Sequence, residues 1–243
     1  MNLRITSTAL MFALALLLSC KNNTSTSINA TGLADSTTVH TSKLTFITDN
    51  LSVADSIYIA DTALRNDDRI FAYGTFIRLP EFGSKSGEYE ILNNKIAADF
   101  AAILNKAKAD PRSDKNQYHT ITYDYFVHDS ILTVKINDQY AYHLSEGTTA
   151  YKLYHFDFKN NKLLNTNDIF TVFGLSRVPV LSAFAEQCSM PPDYTEPLFD
   201  TQWFETIKWK DINQLKLYLN NSQQIVIIYP LIENGIEAEQ IIQ

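Results

Sequence analysis

Between Tyr118 and Lys159, apolar and polar side chains change places at almost every residue, and this alternation constrains the fold more than any other feature of the chain. Ile121, Tyr123, Tyr125 and Val127 share one parity. Thr120, Thr122 and Asp124 share the other, so Tyr118 to His128 reads as a strand with two unlike faces. Asp129-Ser130 is a turn, and Ile131 to Ile136 follows as the second arm of a hairpin. Gln139 to Leu144 prolongs that arm past a bulge or bend, and Ser145-Glu146-Gly147-Thr148 turns the chain again. Ala150 to Lys159 is a third long strand with Tyr154, Phe156 and Phe158 on one face, closed by the turn Asn160-Asn161.

A helix supplies the layer such a meander needs. Leu92, Ile96, Phe100, Ile103, Leu104 and Ala107 recur at helical spacing, which predicts an amphipathic helix over Tyr89 to Ala107, stopped by Asp110-Pro111. Before it, Lys43 to Ile47 and Ser56 to Ala60 are short β-like runs. Arg69 to Leu79 is a clear strand that Pro80 ends, and Gly83 and Gly87 frame a loop. After the meander, Asn167-Asp168 is placed to cap a short helix over Ile169 to Phe173. Leu175 to Gln187 reads as helical with Pro179 in its first turn. Met190 to Thr201, with three prolines, reads as a loop. Leu215 to Leu219 and Ile225 to Ile232 close the chain as a hairpin across Asn220-Asn221-Ser222. The expected class is α+β: a mainly antiparallel sheet, one long amphipathic helix and shorter C-terminal helices.

The segment ahead of this domain indicates location. Arg4 and the α-amino group precede an apolar run, Ala9 to Leu18, which spans only about 15 Å as a helix. That suits a signal peptide and is too short for a bilayer. Leu17-Leu18-Ser19-Cys20 resembles the bacterial lipobox, in which the cysteine takes a diacylglyceryl group and becomes the first residue of the mature protein. Residues 1–19 are then a lipoprotein signal peptide. Residues 20–41 are a lipidated cysteine and a tether poor in groups that could form a core, with a reach of roughly 25 Å. Lys21-Asn22-Asn23-Thr24 carries no acidic sorting signal, which favours the periplasmic face of the outer membrane. The membrane partner would be engaged through the lipid on Cys20.

Without residues 1–19 the chain keeps 19 Lys+Arg against 27 Asp+Glu, a balance of −8, because only Arg4 is lost. A nucleic-acid partner, which calls for a basic footprint, is not expected. With Cys20 committed to lipid, Cys188 has no intramolecular partner and reads as a small buried hydrophobe.

Several segments together resemble a known envelope domain. These are Ala72 to Phe82 with Leu79-Pro80, then Leu92-Asn93 and Ile96, then Asp129-Ser130-Ile131-Leu132-Thr133-Val134, and finally Phe156 to Leu163 running on to Asp168-Ile169-Phe170. The pattern is similar to the RsiV-like domain of lysozyme-sensing anti-sigma factors, which also accompanies peptidoglycan deacetylase domains. It would cover residues 42–243. The resemblance implies a muramidase-type protein or peptidoglycan as ligand and carries no catalytic residues. Many members hold a Gly-Gly-Ala-His-type segment where this chain has Ser145-Glu146-Gly147-Thr148-Thr149, so a ligand read by that loop does not transfer.

Chemical motifs were weighed against this reading. His119, His128, His143 and His155 make no metal-ligand spacing; a zinc site would need all four on one sheet face. Asp124, Asp129 and Asp157 offer a carboxylate pair for glycoside hydrolysis, against which Asp129 reads as a turn residue and Asp157 as part of a strand-turn pattern. No catalytic residue, metal or cofactor is assigned. Trp203 and Tyr194, beside the proline-rich loop, are the candidate ligand-binding aromatics. The expected function is a non-catalytic, lipid-anchored periplasmic binding module. The alternatives are a structural or assembly lipoprotein and, further off, a cell-wall glycan hydrolase.

Overall fold

The computed structural model describes residues 38–41, 45–48, 51–66, 69–84, 89–109, 117–142, 147–188, 199–231 and 236–242, with the backbone alone at 38–41, 45–48, 59–74, 117–118 and 142. The leader, Cys20, residues 21–37 of the expected tether, His143 and Tyr194 lie outside the described residues, while 38–41, the rest of that segment, are in a strand.

Helix α1, Glu90–Ala109, forms where the apolar stripe predicts it. Leu92, Ile96 and Phe100 are buried, and Ile103, Leu104 and Ala107 pack against the same core. It follows strands β1 (Thr38–Thr41), β2 (Thr45–Thr48), β3 (Leu51–Asn66) and β4 (Arg69–Gly83). It leads to β5 (Gln117–His128), β6 (Ile131–Tyr142), β7 (Thr148–Asp157) and β8 (Lys162–Leu164). Seven of these strands run in the order β1-β3-β4-β5-β6-β7-β8, with β2 also on β3. Every pairing is antiparallel except β4 with β5, where α1 makes the crossover.

The meander matches its pattern closely. β6 pairs without a break from Ile131 to Tyr142, so the bulge expected near Gln139 does not form. Asp129 takes a φ of 51° at the β5–β6 turn, a conformation that Asp tolerates better than most residues. β4 corrects a second expectation: it continues through Pro80 to Gly83. The reason lies in which edge is bonded. Phe82 donates its N–H to Asn93 Oδ1 (2.9 Å) and its carbonyl accepts from Asn93 Nδ2 (2.6 Å), so this parity of β4 faces away from β3. Pro80 shares that parity, and β4 pairs with β5 only as far as Ile77, so no ladder bond is lost at the proline.

The C-terminal part lies on the sheet face opposite α1. It comprises α2 (Thr166–Val172), α3 (Arg177–Gln187), α4 (Thr201–Trp209), a 3₁₀ turn (Ile212–Gln214) and strands β9 (Lys216–Leu219), β10 (Ile225–Pro230) and β11 (Glu237–Ile242). These strands form a second antiparallel sheet in the order β11-β10-β9. α2 begins one turn earlier than expected. Asn165 is its cap, and Asn165 and Asp168 exchange side-chain and backbone bonds as a capping box. It ends at Gly174 (φ 61°), where Leu175 N–H reaches the Phe170 carbonyl and Gly174 N–H the Thr171 carbonyl. α4 and β11 were not foreseen. The first grows from Asp200, whose carboxylate accepts from the N–H groups of Gln202 and Trp203.

The expected α+β class is observed, with the main sheet buried on both sides. Leu132, Val134, Ile136, Tyr154 and Phe156 meet α1, while Ile131 joins the core made with Ile169, Leu181, Phe184, Leu217 and Ile227.

Candidate binding surface and the closed polar seam

Strand parity places the histidines first. On β5, Ile121 and Tyr123 belong to the α1-side core, and His119 shares their parity. Phe126 packs on Tyr218 of the second sheet, and His128 shares that opposite parity, reaching the Leu219 carbonyl at 3.2 Å. His119 therefore cannot join His128 and His155 on one face. It pairs instead with Asp138 (Nε2 to Oδ1, 2.7 Å). Among the described residues no three of His, Cys, Asp and Glu are grouped to hold a metal.

His155 lies buried between the sheets, with Nδ1 2.9 Å from Thr133 Oγ1 and a bond to the backbone of Leu217. Burial holds the imidazole neutral and pushes its pKa down to about 4. It acts as a fastener between layers.

The other groups facing the second sheet form a polar seam. Lys135, nearly buried on β6, sets Nζ 3.0 Å from Glu239 Oε1 and 3.4 Å from Asp124 Oδ2. It also lies 5.5 Å from the ring centres of Tyr151 and Tyr218. Tyr218 gives its hydroxyl to the same Glu239 oxygen (2.9 Å). Lys216 bonds both oxygens of Glu237 (2.6 and 2.8 Å) and the Tyr151 carbonyl (2.7 Å). Tyr151 N–H returns to Glu237 (2.7 Å), stitching β11 to β7. Burial first, then the carboxylates of Glu239, Glu237 and Asp124, push the Tyr151 phenol up to about 12, and Tyr218 rises for similar reasons. Both stay protonated, and Tyr218 acts as a donor to Glu239.

Two smaller networks tie the α1 side. Arg78 pairs with Asp55 (3.0 Å) and lies 5.0 Å from the Tyr123 ring, while Tyr123 donates to Asp55. Burial and then Asp55 raise the Tyr123 pKa. Asp99 of α1 receives Lys95 (2.8 Å), Lys152 (3.3 Å) and the Tyr154 hydroxyl (2.9 Å). Although partial burial opposes it, these donors hold the carboxyl below its ordinary pKa.

The carboxylates considered for hydrolysis are separated in role. Asp129 occupies the β5–β6 turn. Asp157 folds the next turn by accepting from the N–H groups of Lys159 and Asn160 and from Asn160 Nδ2. Asp124 belongs to the seam through Lys135 and Asn137. Cys188 is buried, and burial pushes its thiol up to about 11 against an opposing bond from Tyr229. It is the inert hydrophobe expected of it.

Of the candidate aromatics, Trp203 is half-buried on α4, edge-on to Phe184 at 5.9 Å. Tyr194 falls outside the described residues. Among the described residues the aromatic facing solvent is Trp209, at the end of the same helix and 70% exposed. Its position off the Trp203–Ile207 stripe was the available signal.

No family model matches the chain, and no curated protein does. Solved structures give similarity at the level of the fold. A DUF3298-family member from Bacteroides fragilis NCTC 9343 aligns with a TM-score of 0.41 and 11% identity, covering 79% of this chain and 90% of that one. A DUF3298-family protein from Pseudomonas aeruginosa PAO1 aligns with a TM-score of 0.43 and 7% identity over the same shares.

Proposed function

We propose that this protein is a lipid-anchored envelope lipoprotein whose α+β domain is a non-catalytic binding module, held by Cys20 at the periplasmic face of the outer membrane. The ligand is an envelope protein of muramidase type or peptidoglycan, as the sequence resemblance to the RsiV-like domain implies. The observation that carries the reading is the closure of the polar groups. Lys135, Lys216, Glu237, Glu239, Asp99 and His155 each have a named partner in the neighbouring layer. Groups used in this way are structural, and recognition falls to aromatic residues, with Trp203 and Tyr194 as the assigned contacts. No single helix among the described residues is long and apolar enough to cross a membrane.

The mature chain is immobilised and exposed to solubilised envelope, muropeptides and a lysozyme-type muramidase. The expected result is saturable retention of one of these, weakened at least tenfold by Tyr194→Ala or Trp203→Ala in protein whose unfolding midpoint shows it is folded. Retention of nothing by folded protein overturns the reading. Turnover of glycan in the flow-through would replace it with an enzyme.

A structural or assembly role is the second reading, and one observation favours it. Residues 62–66 of β3 and 69–73 of β4 pair only with each other among the described residues, as a two-stranded ribbon beyond the rest of the sheet. Such a ribbon is marginally stable alone and gains from a neighbour. Self-association of the full chain that is lost on shortening this ribbon would establish that role.

A further inference from the structure

Three of the five large apolar side chains exposed among the described residues fall at one corner of the C-terminal part: Val172 (49%), Val178 (74%) and Trp209 (70%). They sit at three helix ends. Val172 is the last residue of α2, Val178 is the second of α3, and Trp209 is the last of α4. A hydrogen bond from the Arg177 guanidinium to the Ile207 carbonyl joins the start of α3 to the end of α4. The 3₁₀ turn that follows α4 packs in turn on α2. These contacts bring the start of α3, which carries Val178, to the end of α4, which carries Trp209, with Val172 closing the helix just before α3.

Its charges match its shape. Lys208 lies 4.9 Å from the Trp209 ring centre, and Lys208 and Lys210 are both exposed on either side of the indole. Glu205 stands one turn back on α4, and Asp211 follows Lys210 with its carboxylate accepting from the Asn213 N–H. This is a local cationic rim in a chain whose formal charge is −7. An exposed Trp with flanking lysines and small aliphatics is suited to the boundary between headgroups and acyl chains. There the indole lies at the interface and the ammonium groups reach back to the phosphates.

We infer that this corner is a foot that rests in the surface of the bilayer to which Cys20 is anchored, its lysines on anionic headgroups. The inference rests on the lipid-anchor reading and adds an orientation to it. Seventeen residues lie between Cys20 and Thr38, so the domain can stand no further than roughly 60 Å from its anchor. Confinement of that kind gives an effective concentration of order millimolar, so a contact too weak to recruit free protein is still occupied. A foot on α2–α4 fixes which rim of the domain faces away from the membrane and meets its ligand.

The test couples the mature chain through the Cys20 thiol to a maleimide lipid, which supplies an anchor whether or not cells acylate that residue; Cys188, buried, does not compete. Vesicles are three parts phosphatidylcholine to one part phosphatidylglycerol, with and without bromine on the acyl chains. In a Trp203→Phe background Trp209 is the sole indole. The expected result is emission at least twofold lower in brominated vesicles, with the loss abolished in Val178→Asp, Lys208→Glu protein. Should Trp203→Phe not fold, the same quenching is read as the difference between the native chain and Trp209→Phe. Equal emission in both kinds of vesicle overturns the foot. So does a Trp209 shift that appears without vesicles, either on raising protein concentration, which makes the patch a contact with a second copy, or on adding the muramidase, which makes it a protein site. Mass spectrometry of Cys20 from native cells tests the anchor reading separately, since an unacylated residue would refute that reading and leave the quenching result intact.

Discussion

The two faces of the central sheet are built from the same strands and held by different physics. Along β6, Leu132, Val134 and Ile136 point toward α1, and Ile131, Thr133 and Lys135 toward the C-terminal part; all six are buried. The first face is dry: Leu92, Ile96 and Phe100 cover it, and its stabilisation follows apolar area removed from water. The second mixes apolar contacts with Thr133, Lys135, His155 and Asp157, whose burial is tolerable only because each has a partner. The apolar contacts of the first face do not respond to pH or salt, unlike the Asp55 and Asp99 ion pairs on the same side. The polar seam places the C-terminal part in one register, because a shifted β11 would leave Lys135 and Lys216 without Glu239 and Glu237.

The largest effect is expected on the dry face. Phe156, fully buried against Tyr89 at 5.7 Å, should cost about 3–5 kcal/mol when cut to Ala, read from urea unfolding. A loss below about 1 kcal/mol would mean that α1 closes over the cavity and that this face is not close-packed.

Its neighbour His155 separates the faces by pH. Its imidazole stays neutral when folded, with a pKa of about 4 against about 6.5 unfolded. The unfolded chain therefore takes up a proton first. The contribution is complete above pH 6.5 and is lost as pH falls toward 4, by about 3 kcal/mol at that point. Unfolding free energies at pH 7 and pH 4 should differ by about that much less in His155→Gln than in the native protein. An identical difference in both would place the acid sensitivity elsewhere.

Lys135 tests whether the seam is a set of pairs or merely buried charge. Lys135→Met should cost about 2 kcal/mol, because it leaves Glu239 with only the Tyr218 hydroxyl. Adding Glu239→Gln should return part of the loss, and the coupling should exceed about 0.5 kcal/mol in a double-mutant cycle. Simple additivity would show that the two side chains are neighbours without being partners.

How much of this was legible follows from where each signal lies. The α1 stripe and the β5–β7 alternation repeat within a few residues, so the sequence alone located them. Pro80 was misplaced because its tolerance depends on which edge of β4 carries hydrogen bonds, a property of register. β11, Glu-Ala-Glu-Gln-Ile-Ile, has little β-like composition and exists through its pairing with β10 and its carboxylates. The seam was invisible because Lys135 and Glu239 stand 104 residues apart. The exposed indole was accessible in principle. Trp203 and Ile207 are four apart on one helical face, and Trp209 is off it, but the helix had first to be recognised behind a proline-rich segment.

The smallest effect isolates what burial adds to a charge pair. Lys95 and Asp99 lie four residues apart on α1 at 2.8 Å, with the lysine side chain 51% exposed. Lys135 and Glu239 meet at 3.0 Å with the lysine side chain 9% exposed. The distances are alike and the chemistry is the same. Water screens the first pair, and Asp99 retains Lys152 and Tyr154 when Lys95 is removed. Lys95→Ala should therefore cost about 0.3 kcal/mol and lose that cost in 0.5 M salt, where the Lys135→Met penalty should persist. If both penalties vanished together in salt, the seam would be as solvated as the α1 surface, and the contrast between the two faces would reduce to apolar area alone.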